Sequence, residues 1–405
     1  RDALAEFERR KDEIALLESR EMGKPITVAK AEWADQALFA NWYLDNAEQC
    51  LAAETTLDDD KELHRVFRYP LGVAAVILPW NYPFLMFLWR VFPNLLAGNA
   101  VVLKHSEEVP LCGKLIEEVM HGHSLLRSLF SEVYGDGKVG KALVMEPVNF
   151  IDFTGSKKTG HRLYEIAGKK FIRASMELGG SAPGVVFADA DLDVVAQGTK
   201  FYRLSNSGQY CDGKKRLIVH ENVHDEVVSR IAEAFEAVKV GPADDPETEM
   251  GPLVSKRQLE TLKRQVAGAV DCGARVVTGG SSVEHLDGAF YQPNLLTRVT
   301  RDMLVWKEEV FGPILPVKTF RTEAEAIELA NDTEYGLGGY VYSRDLDLAE
   351  RVAHRIETGM VSINAANYTT PFNPFGGWKH SGMGREHGKW GFHELTQTKV
   401  VARPK

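Results

Sequence analysis

Leu71-Gly72-Val73-Ala74-Ala75-Val76-Ile77-Leu78-Pro79-Trp80-Asn81-Tyr82-Pro83 is where the chain changes character. Gly72 to Leu78 is an unbroken run of small and apolar residues, short, and bounded by glycine and proline. A strand covered on both faces reads this way. Pro79 to Pro83 ends it, and helical spacing follows from about Leu85 to Leu96. Gly98-Asn99 then turns into a second strand, Ala100–Lys104. His105-Ser106-Glu107-Glu108 is expected to cap a helix from Pro110 to about His121. Strand–helix alternation is the signature of a parallel sheet wrapped by helices, so the fold class is α/β.

The alternation continues outward. Ser131–Tyr134, Asn149–Thr154 and Ile172–Glu177 are further strand candidates, and a second series begins at Pro183–Phe187. Its helices are expected near Asp191–Leu204, His224–Val238, Ser255–Cys272, Glu323–Asn331 and Leu346–Glu357. A glycine-rich segment, Asn364–Gly388, and a last strand, Thr398–Val401, complete the chain. Upstream, Arg1 to about Ser19 reads as helix, Glu21-Met22-Gly23-Lys24-Pro25 breaks it, and an amphipathic helix runs roughly from Thr27 to Ala52. A polar patch, Thr56–Glu62, leads into Leu63–Tyr69, which alternates as a half-exposed strand does. Two α/β lobes joined near Glu177–Gly180, with flanking strands, are expected.

At 405 residues the chain is long enough for two or three domains and a large core. A formal net charge of −9 offers no basic surface, so neither nucleic acid nor a membrane is expected as a partner. The longest apolar run, Phe84–Trp89, is far too short to span a bilayer and is followed by Arg90; no signal peptide is expected. Cys50, Cys112, Cys211 and Cys272 form no C-x-x-C pair, which argues against a metal site and a disulfide framework. A reducing cytoplasmic setting is the simplest expectation.

Ser205-Asn206-Ser207-Gly208-Gln209-Tyr210-Cys211-Asp212-Gly213-Lys214 sets a single cysteine between small, flexible residues and a strand-like run, Leu217–Val219. A thiolate is a strong carbon nucleophile once its proton is removed, whereas an isolated cysteine is as readily an inert core residue. For Cys211 alone both readings stand. Gly135-Asp136-Gly137-Lys138-Val139-Gly140 matches G-x-G-x-x-G literally, but it falls late in the first lobe. No acidic residue ends a strand at the distance that fingerprint needs. Phe153-Thr154-Gly155-Ser156 is more informative. There a strand feeds a helix N-terminus with a serine cap and free N–H groups, which suits a phosphate as well as an ordinary capped turn.

Seven features stand in a telling order: Pro79-Trp80-Asn81-Tyr82-Pro83, Lys104 at a strand end, Phe153-Thr154-Gly155-Ser156, Glu177-Leu178-Gly179-Gly180, Gly208-Gln209-Tyr210-Cys211, Glu309-Val310-Phe311-Gly312-Pro313, and Pro374-Phe375-Gly376-Gly377-Trp378-Lys379-His380-Ser381-Gly382. Their order and spacing resemble the aldehyde dehydrogenase superfamily, of the NAD(P)-dependent, hydrolytic, non-phosphorylating type, from about Glu21 to the C-terminus. The resemblance implies a Rossmann-like cofactor-binding domain over residues 1–51 and 71–179 and a catalytic domain over 180–375. It also implies oligomerisation strands at 52–70 and 394–405. Cys211 is implied as nucleophile, Asn81 with the Cys211 N–H as oxyanion hole, and Glu177 as the carboxylate that activates water. Elementary chemistry asks for the same three parts: a nucleophile for the carbonyl carbon, donors for the oxyanion, and a base for the thioester. Taken singly, Glu177 reads equally as a surface acid in a glycine turn, and Asn81 as a turn former.

The implied cofactor contacts are Lys104 and Glu107 at the adenosine ribose, Gly155 and Ser156 at the pyrophosphate, and Glu309 at the nicotinamide ribose. Phe311 is implied against the nicotinamide, with Trp80 and Leu178 among the remaining contacts. Glu107 also reads simply as a helix cap. A carboxylate beside the adenosine ribose would repel a 2′-phosphate, so NAD is expected over NADP. Met86 and Trp89 share a helix face that by resemblance lines the aldehyde tunnel, with Phe372 and Phe375 in the loop at its mouth. Trp89 stands where acid-semialdehyde members tend to carry Arg, with Arg90 one step along. His105 follows Lys104 where many members have Pro, as in some succinate-semialdehyde-type members. Medium aliphatic or aromatic aldehydes are therefore expected to outperform succinate semialdehyde, and an acid-semialdehyde dehydrogenase is the alternative if Arg90 reaches the tunnel.

Two further alternatives are weighed. Acylating members that pass the thioester to coenzyme A usually lack the glutamate at Glu177, and a catalytically silent binding homologue would have lost Cys211, Asn81 or Glu177. Family members carry a further stretch before the position of Arg1. A homodimer or homotetramer is implied, with Leu63–Tyr69 and Thr398–Val401 pairing across subunits.

Overall fold

The computed structural model describes residues 1–283 and 285–405. Val73–Ile77 lies inside a six-stranded sheet whose spatial order is Gly382–Met383, Arg173–Glu177, Phe150–Thr154, Val73–Ile77, Ala100–Lys104, Phe130–Glu132. All neighbours are parallel except Gly382–Met383, which runs antiparallel to Arg173–Glu177. The alternation of a strand explains how this apolar run is used. Ala74 and Val76 point into a core built with helix Pro83–Leu96 and the N-terminal helices. Ala75 and Ile77 point into the opposite core, with Leu143, Val144, Leu163 and Ala167.

The chain winds from Val73–Ile77 through Ala100–Lys104 to Phe130–Glu132, then reverses to Phe150–Thr154 and Arg173–Glu177. Loops leaving Val73–Ile77 and Phe150–Thr154 therefore diverge across opposite faces of the sheet. Such a reversal opens a crevice at the carboxyl ends of the strands, where ligands of doubly wound sheets bind.

The second sheet has seven strands in the order Arg275–Thr278, Asn294–Thr297, Ile314–Phe320, Lys214–His220, Ala182–Val186, Tyr340–Tyr342, Ser362–Ile363. It is parallel apart from its first pair. The third is a three-stranded antiparallel ribbon of Glu54–Asp58, Glu62–Pro70 and Thr396–Pro404.

Several expectations change. The first helix divides at Arg10 into Asp2–Arg9 and Lys11–Met22. The polar patch holds a strand, Glu54–Asp58, so Glu62–Pro70 has both edges paired within the chain. Only the outer edges of this ribbon stay free, and Thr396–Pro404 is exposed along nearly all its length. His105-Ser106-Glu107-Glu108 does not cap helix Pro110–His121, whose N-cap is Val109 with no side-chain bond. The cap comes from elsewhere: the Glu21 carboxylate accepts from the N–H groups of Leu111 and Cys112, both at 2.8 Å, a favourable place for an anion. His105 is instead buried, with Nδ1 at 2.7 Å from Glu132. No helix among the described residues is long and apolar enough to cross a membrane.

Candidate active site

The sheet reversal sets the first half of the site. Trp80 and Asn81 sit on the loop after Val73–Ile77, and Gly155 and Ser156 follow Phe150–Thr154. Lys104 ends Ala100–Lys104 and Glu177 ends Arg173–Glu177, so all six residues gather at the carboxyl edge. Ser156 is the N-cap of helix Lys157–Lys170, its hydroxyl accepting from the Thr159 N–H. Lys104 Nζ donates to Glu107 Oε2 at 3.2 Å, and the Glu107 side chain is half exposed.

This crevice fits a dinucleotide. A capped 14-residue helix offers its free N–H groups to a pyrophosphate, and the Lys104–Glu107 pair, two strands away across Val73–Ile77, offers a donor and an acceptor to ribose hydroxyls. The opposite wall comes from the second lobe. Phe311 meets Trp80 edge-on with centroids 5.7 Å apart, and Glu309 lies against Gly179 and Gly180, accepting from the Gly180 N–H at 3.1 Å. Leu178 is buried beneath helix Lys157–Lys170, against Gly160.

Cys211 is carried on a strained, braced loop. Helix Leu192–Leu204 runs into the turn Ser205–Gly208, where Asn206, Ser207 and Gly208 have φ of 50°, 55° and 72°. Two non-glycine residues in this region cost on the order of 1–3 kcal/mol each, and the surroundings hold them there. Ser207 Oγ donates to Gly251 O at 2.9 Å, and Gln209 Oε1 accepts from the Val254 N–H at 3.0 Å. Asn206 Nδ2 donates to Asn81 O at 2.9 Å while Asn81 Nδ2 donates to Gln209 O at 3.0 Å. That exchange fastens the first lobe to the cysteine loop. The second N–H of Asn81 has no partner among the described residues, and it lies beside the loop that carries Cys211.

The charges around this loop are unevenly matched. Burial pushes the Cys211 thiol well above its ordinary range, Asp212 pushes it further, and Lys215 pulls the other way. Glu177 is also held well above the carboxylate range, first by burial and then by the neighbouring Glu386, with Arg90 opposing. Arg90 is fully buried and serves two acids at once, Asp152 and Glu386, and also donates to Ser175 Oγ at 3.0 Å and Thr154 Oγ1 at 3.1 Å. Arg90 and, more weakly, Arg385 pull the Glu177 carboxyl back down, and neither of its oxygens has a hydrogen-bond partner among the described residues.

Of the residues expected to line the aldehyde tunnel, Met86 and Trp89 are both buried. Trp89 packs on Phe39, on Phe375 at 5.6 Å and on His387 at 4.3 Å. Phe375 joins Leu337 and Met360 in a small apolar cluster against which Cys211 and Tyr368 pack. Phe372 diverges from it and is 55% exposed. Arg90 points away from this cluster, into the sheet.

Three residues near the site were not singled out by sequence, Asp212, Tyr368 and Glu386, while Lys215 stands out there only as one of three cations close to Cys211. Tyr368 donates to Asp212 Oδ2 at 3.0 Å, and Lys215 donates to the Cys211 carbonyl at 3.0 Å. The signal available was three basic residues, Lys214-Lys215-Arg216, opening an otherwise apolar strand.

A cysteine on a braced loop, an amide and a buried acid beside it, and a crevice at the carboxyl edge of a doubly wound sheet occur together, and the aldehyde dehydrogenase family model matches residues 1–401. The chain belongs to the aldehyde dehydrogenase family. It is 40% identical to the peroxisomal aminoaldehyde dehydrogenase 1 of Pisum sativum, over 98% of this chain and 80% of the relative. It is 41% identical to the NADP(+) succinate-semialdehyde dehydrogenase of Deinococcus radiodurans, over 97% of this chain and 82% of the relative. The crystal structure of an NAD-dependent aldehyde dehydrogenase from Sinorhizobium meliloti superposes with a TM-score of 0.96 at 36% identity, covering 100% of this chain and 80% of that one. This aldehyde dehydrogenase is thus an NAD(P)-dependent oxidoreductase acting on small aldehydes.

Proposed function

We propose that this aldehyde dehydrogenase oxidises uncharged aldehydes of medium length, aliphatic or aromatic, to their acids, with NAD as preferred cofactor. Residues 1–51 and 71–179 would hold the cofactor, 180–375 would carry the chemistry, and 52–70 with 394–405 would pair subunits. The observation that supports the roles most directly is the fastening of Asn81 to the Cys211 loop beside a buried, unbonded Glu177. Cys211, as thiolate, adds to the aldehyde carbon, and the alkoxide oxygen is met by the free N–H of Asn81 and the Cys211 N–H. The nicotinamide, when bound, supplies the hydride acceptor that lets this adduct become a thioester on Cys211. Glu177, as carboxylate, would draw a proton from the water attacking the thioester and pass it to the departing sulfur, and acid and free thiol are released. Lys104 and Glu107 would hold the adenosine ribose, Gly155 and Ser156 the pyrophosphate, and Glu309, Phe311, Trp80 and Leu178 the nicotinamide end.

Two features favour uncharged substrates. Trp89, Met86 and Phe375 present apolar surface, worth about 25 cal/mol per Å² buried. Arg90, the cation that could have received a carboxylate, is committed to Asp152 and Glu386. NAD preference rests on the exposed Glu107 carboxylate, and a homodimer or homotetramer on the open edge of Thr396–Pro404. A cytoplasmic location rests on four unpaired cysteines. The test is kcat/KM for hexanal, benzaldehyde and succinate semialdehyde with NAD and with NADP at one pH and ionic strength. A tenfold preference for succinate semialdehyde would overturn the substrate reading.

A further inference from the structure

The strand that follows Cys211 opens with three buried cations, Lys214, Lys215 and Arg216. Alternation along the strand separates them. Lys214 donates to Thr199 Oγ1 at 3.0 Å and Tyr342 OH at 2.7 Å, and Arg216 donates to the carbonyls of Ser181 and Ala330. Both stay within the second lobe. Lys215, on the other face, is delivered to the site. Its ammonium donates to Gly180 O at 2.9 Å, to Cys211 O at 3.0 Å and to Glu309 Oε1, and it lies 5.1 Å from the Phe311 ring centroid.

An ammonium has three diverging donors, and here each has an acceptor. One fixes the backbone from which the thiol projects, one fixes the Gly180 connection between the lobes, and one holds Glu309. The Gly180 N–H bonds the same Glu309 oxygen, Oε1, so Oε2 is left for another donor. The Glu309 side chain is 18% exposed where that of Lys215 is 1%.

We propose that Lys215 is a positioning residue: it presents Glu309 Oε2 to the nicotinamide ribose while bracing Cys211, and so couples cofactor recognition to nucleophile placement. The inference rests on the functional reading above. Without Lys215, Glu309 would keep only one N–H, and the Gly180 and Cys211 carbonyls would lose their ammonium partner. A guanidinium is planar and longer, and does not reproduce three bonds diverging from one buried nitrogen.

The test compares NADH binding, by its fluorescence, with AMP binding in wild type, Lys215→Met and Lys215→Met/Glu309→Gln. AMP carries the half of the cofactor that does not reach Glu309. Wild type is expected to bind both. Lys215→Met is expected to lose tenfold or more in NADH affinity while AMP stays within twofold. The double variant, free of an unpaired buried carboxylate, is expected to bind AMP normally and NADH as weakly as the single variant.

A second readout is the rate of Cys211 alkylation by iodoacetamide across pH. The titratable groups facing the thiol are Asp212, Glu177, Glu309 and Lys215. Removing the only cation among them is expected to move the profile to higher pH by at least half a unit. Wild type that fails to bind NADH or NADPH would overturn the functional reading itself. Wild type that binds, with Lys215→Met binding NADH equally well, would overturn the role of Lys215 alone. Loss of both probes in both variants would make Lys215 a structural brace and overturn it too.

Discussion

Arg90→Met separates a structural reading of Arg90 from a substrate-binding one. The guanidinium pairs with Asp152 and Glu386 and is fully buried, so the variant leaves two acids without their cation. Glu386 already sits at about 7, raised by burial against the pull of Arg90, and gives up little more by staying protonated. Asp152 is the costly partner. Its carboxylate keeps one bond, from Asn94 Nδ2 at 2.9 Å, but above the ordinary aspartate pKa of about 3.9 the folded variant must hold a proton that the unfolded chain releases. At 1.36 kcal/mol per unit this is at most about 5 kcal/mol at pH 7.5 and about 2 kcal/mol at pH 5, because burial already raises the Asp152 carboxyl with Arg90 in place. The larger figure agrees with the 3–5 kcal/mol typical of breaking a buried pair. The sign follows from the raised folded pKa: stability is kept at low pH and lost as pH rises. Urea unfolding followed by tryptophan fluorescence at pH 5, 6.5 and 7.5 should show a deficit that widens with pH. Hexanal and succinate semialdehyde should lose activity in the same proportion. A variant of near-native stability that selectively loses succinate semialdehyde would refute the reasoning, because Arg90 would then be a substrate clamp.

Cys211→Ser should reduce dehydrogenase activity by 10³-fold or more with NADH binding retained, and residual turnover above about one per cent would place the nucleophile elsewhere. Glu177→Gln should keep a pre-steady-state burst of NADH and slow the steady state; equal loss of both would exclude it as the deacylation base. Glu107→Gln should shrink the NAD-over-NADP ratio of kcat/KM by about tenfold, since it removes a full charge beside the 2′ position. An unchanged ratio would reduce Glu107 to a partner of Lys104. Light scattering at micromolar concentration should give a dimer or tetramer, and a stable monomer of 45.1 kDa would contradict the pairing of ribbon edges.

The fold was legible because its signal is local. Gly72–Leu78 could be read as a doubly covered strand from its own residues, and the two alternating faces found their two cores. The motifs gathered at the candidate site were legible for a related reason: turns after parallel strands need glycine, proline and capping residues at fixed places. Legibility failed where a charge is satisfied from far along the chain. Glu21 caps a helix that begins at Pro110, His105 turns inward to Glu132 instead of capping anything, and Arg90 is claimed by residues on three other segments. None of these partners is marked by spacing. The extra strand Glu54–Asp58 was hidden because its residues are exposed and mostly polar, held by ladder bonds and by ion pairs of Glu54 with Arg68 and of Asp58 with Lys405.

The acid cluster suggests why such long-range pairing sits beside the site. A permanently charged carboxylate near Cys211 would raise the thiol pKa further and oppose formation of the thiolate that begins the reaction. Arg90 is divided between Asp152 and Glu386, burial and Glu386 raise the Glu177 carboxyl, and neither of its oxygens has a hydrogen-bond partner among the described residues. In its proposed role as base, a raised carboxyl opposes the Cys211 thiolate less than a carboxylate of ordinary pKa would, and no hydrogen bond to the described residues must break for it to move. Gly376 leaves room for that movement: a Cβ there would stand 2.9 Å from Glu177 Oε1. The same buried charge balance that is expected to make Arg90 costly to remove therefore keeps the Glu177 carboxyl raised, as its proposed role as base requires.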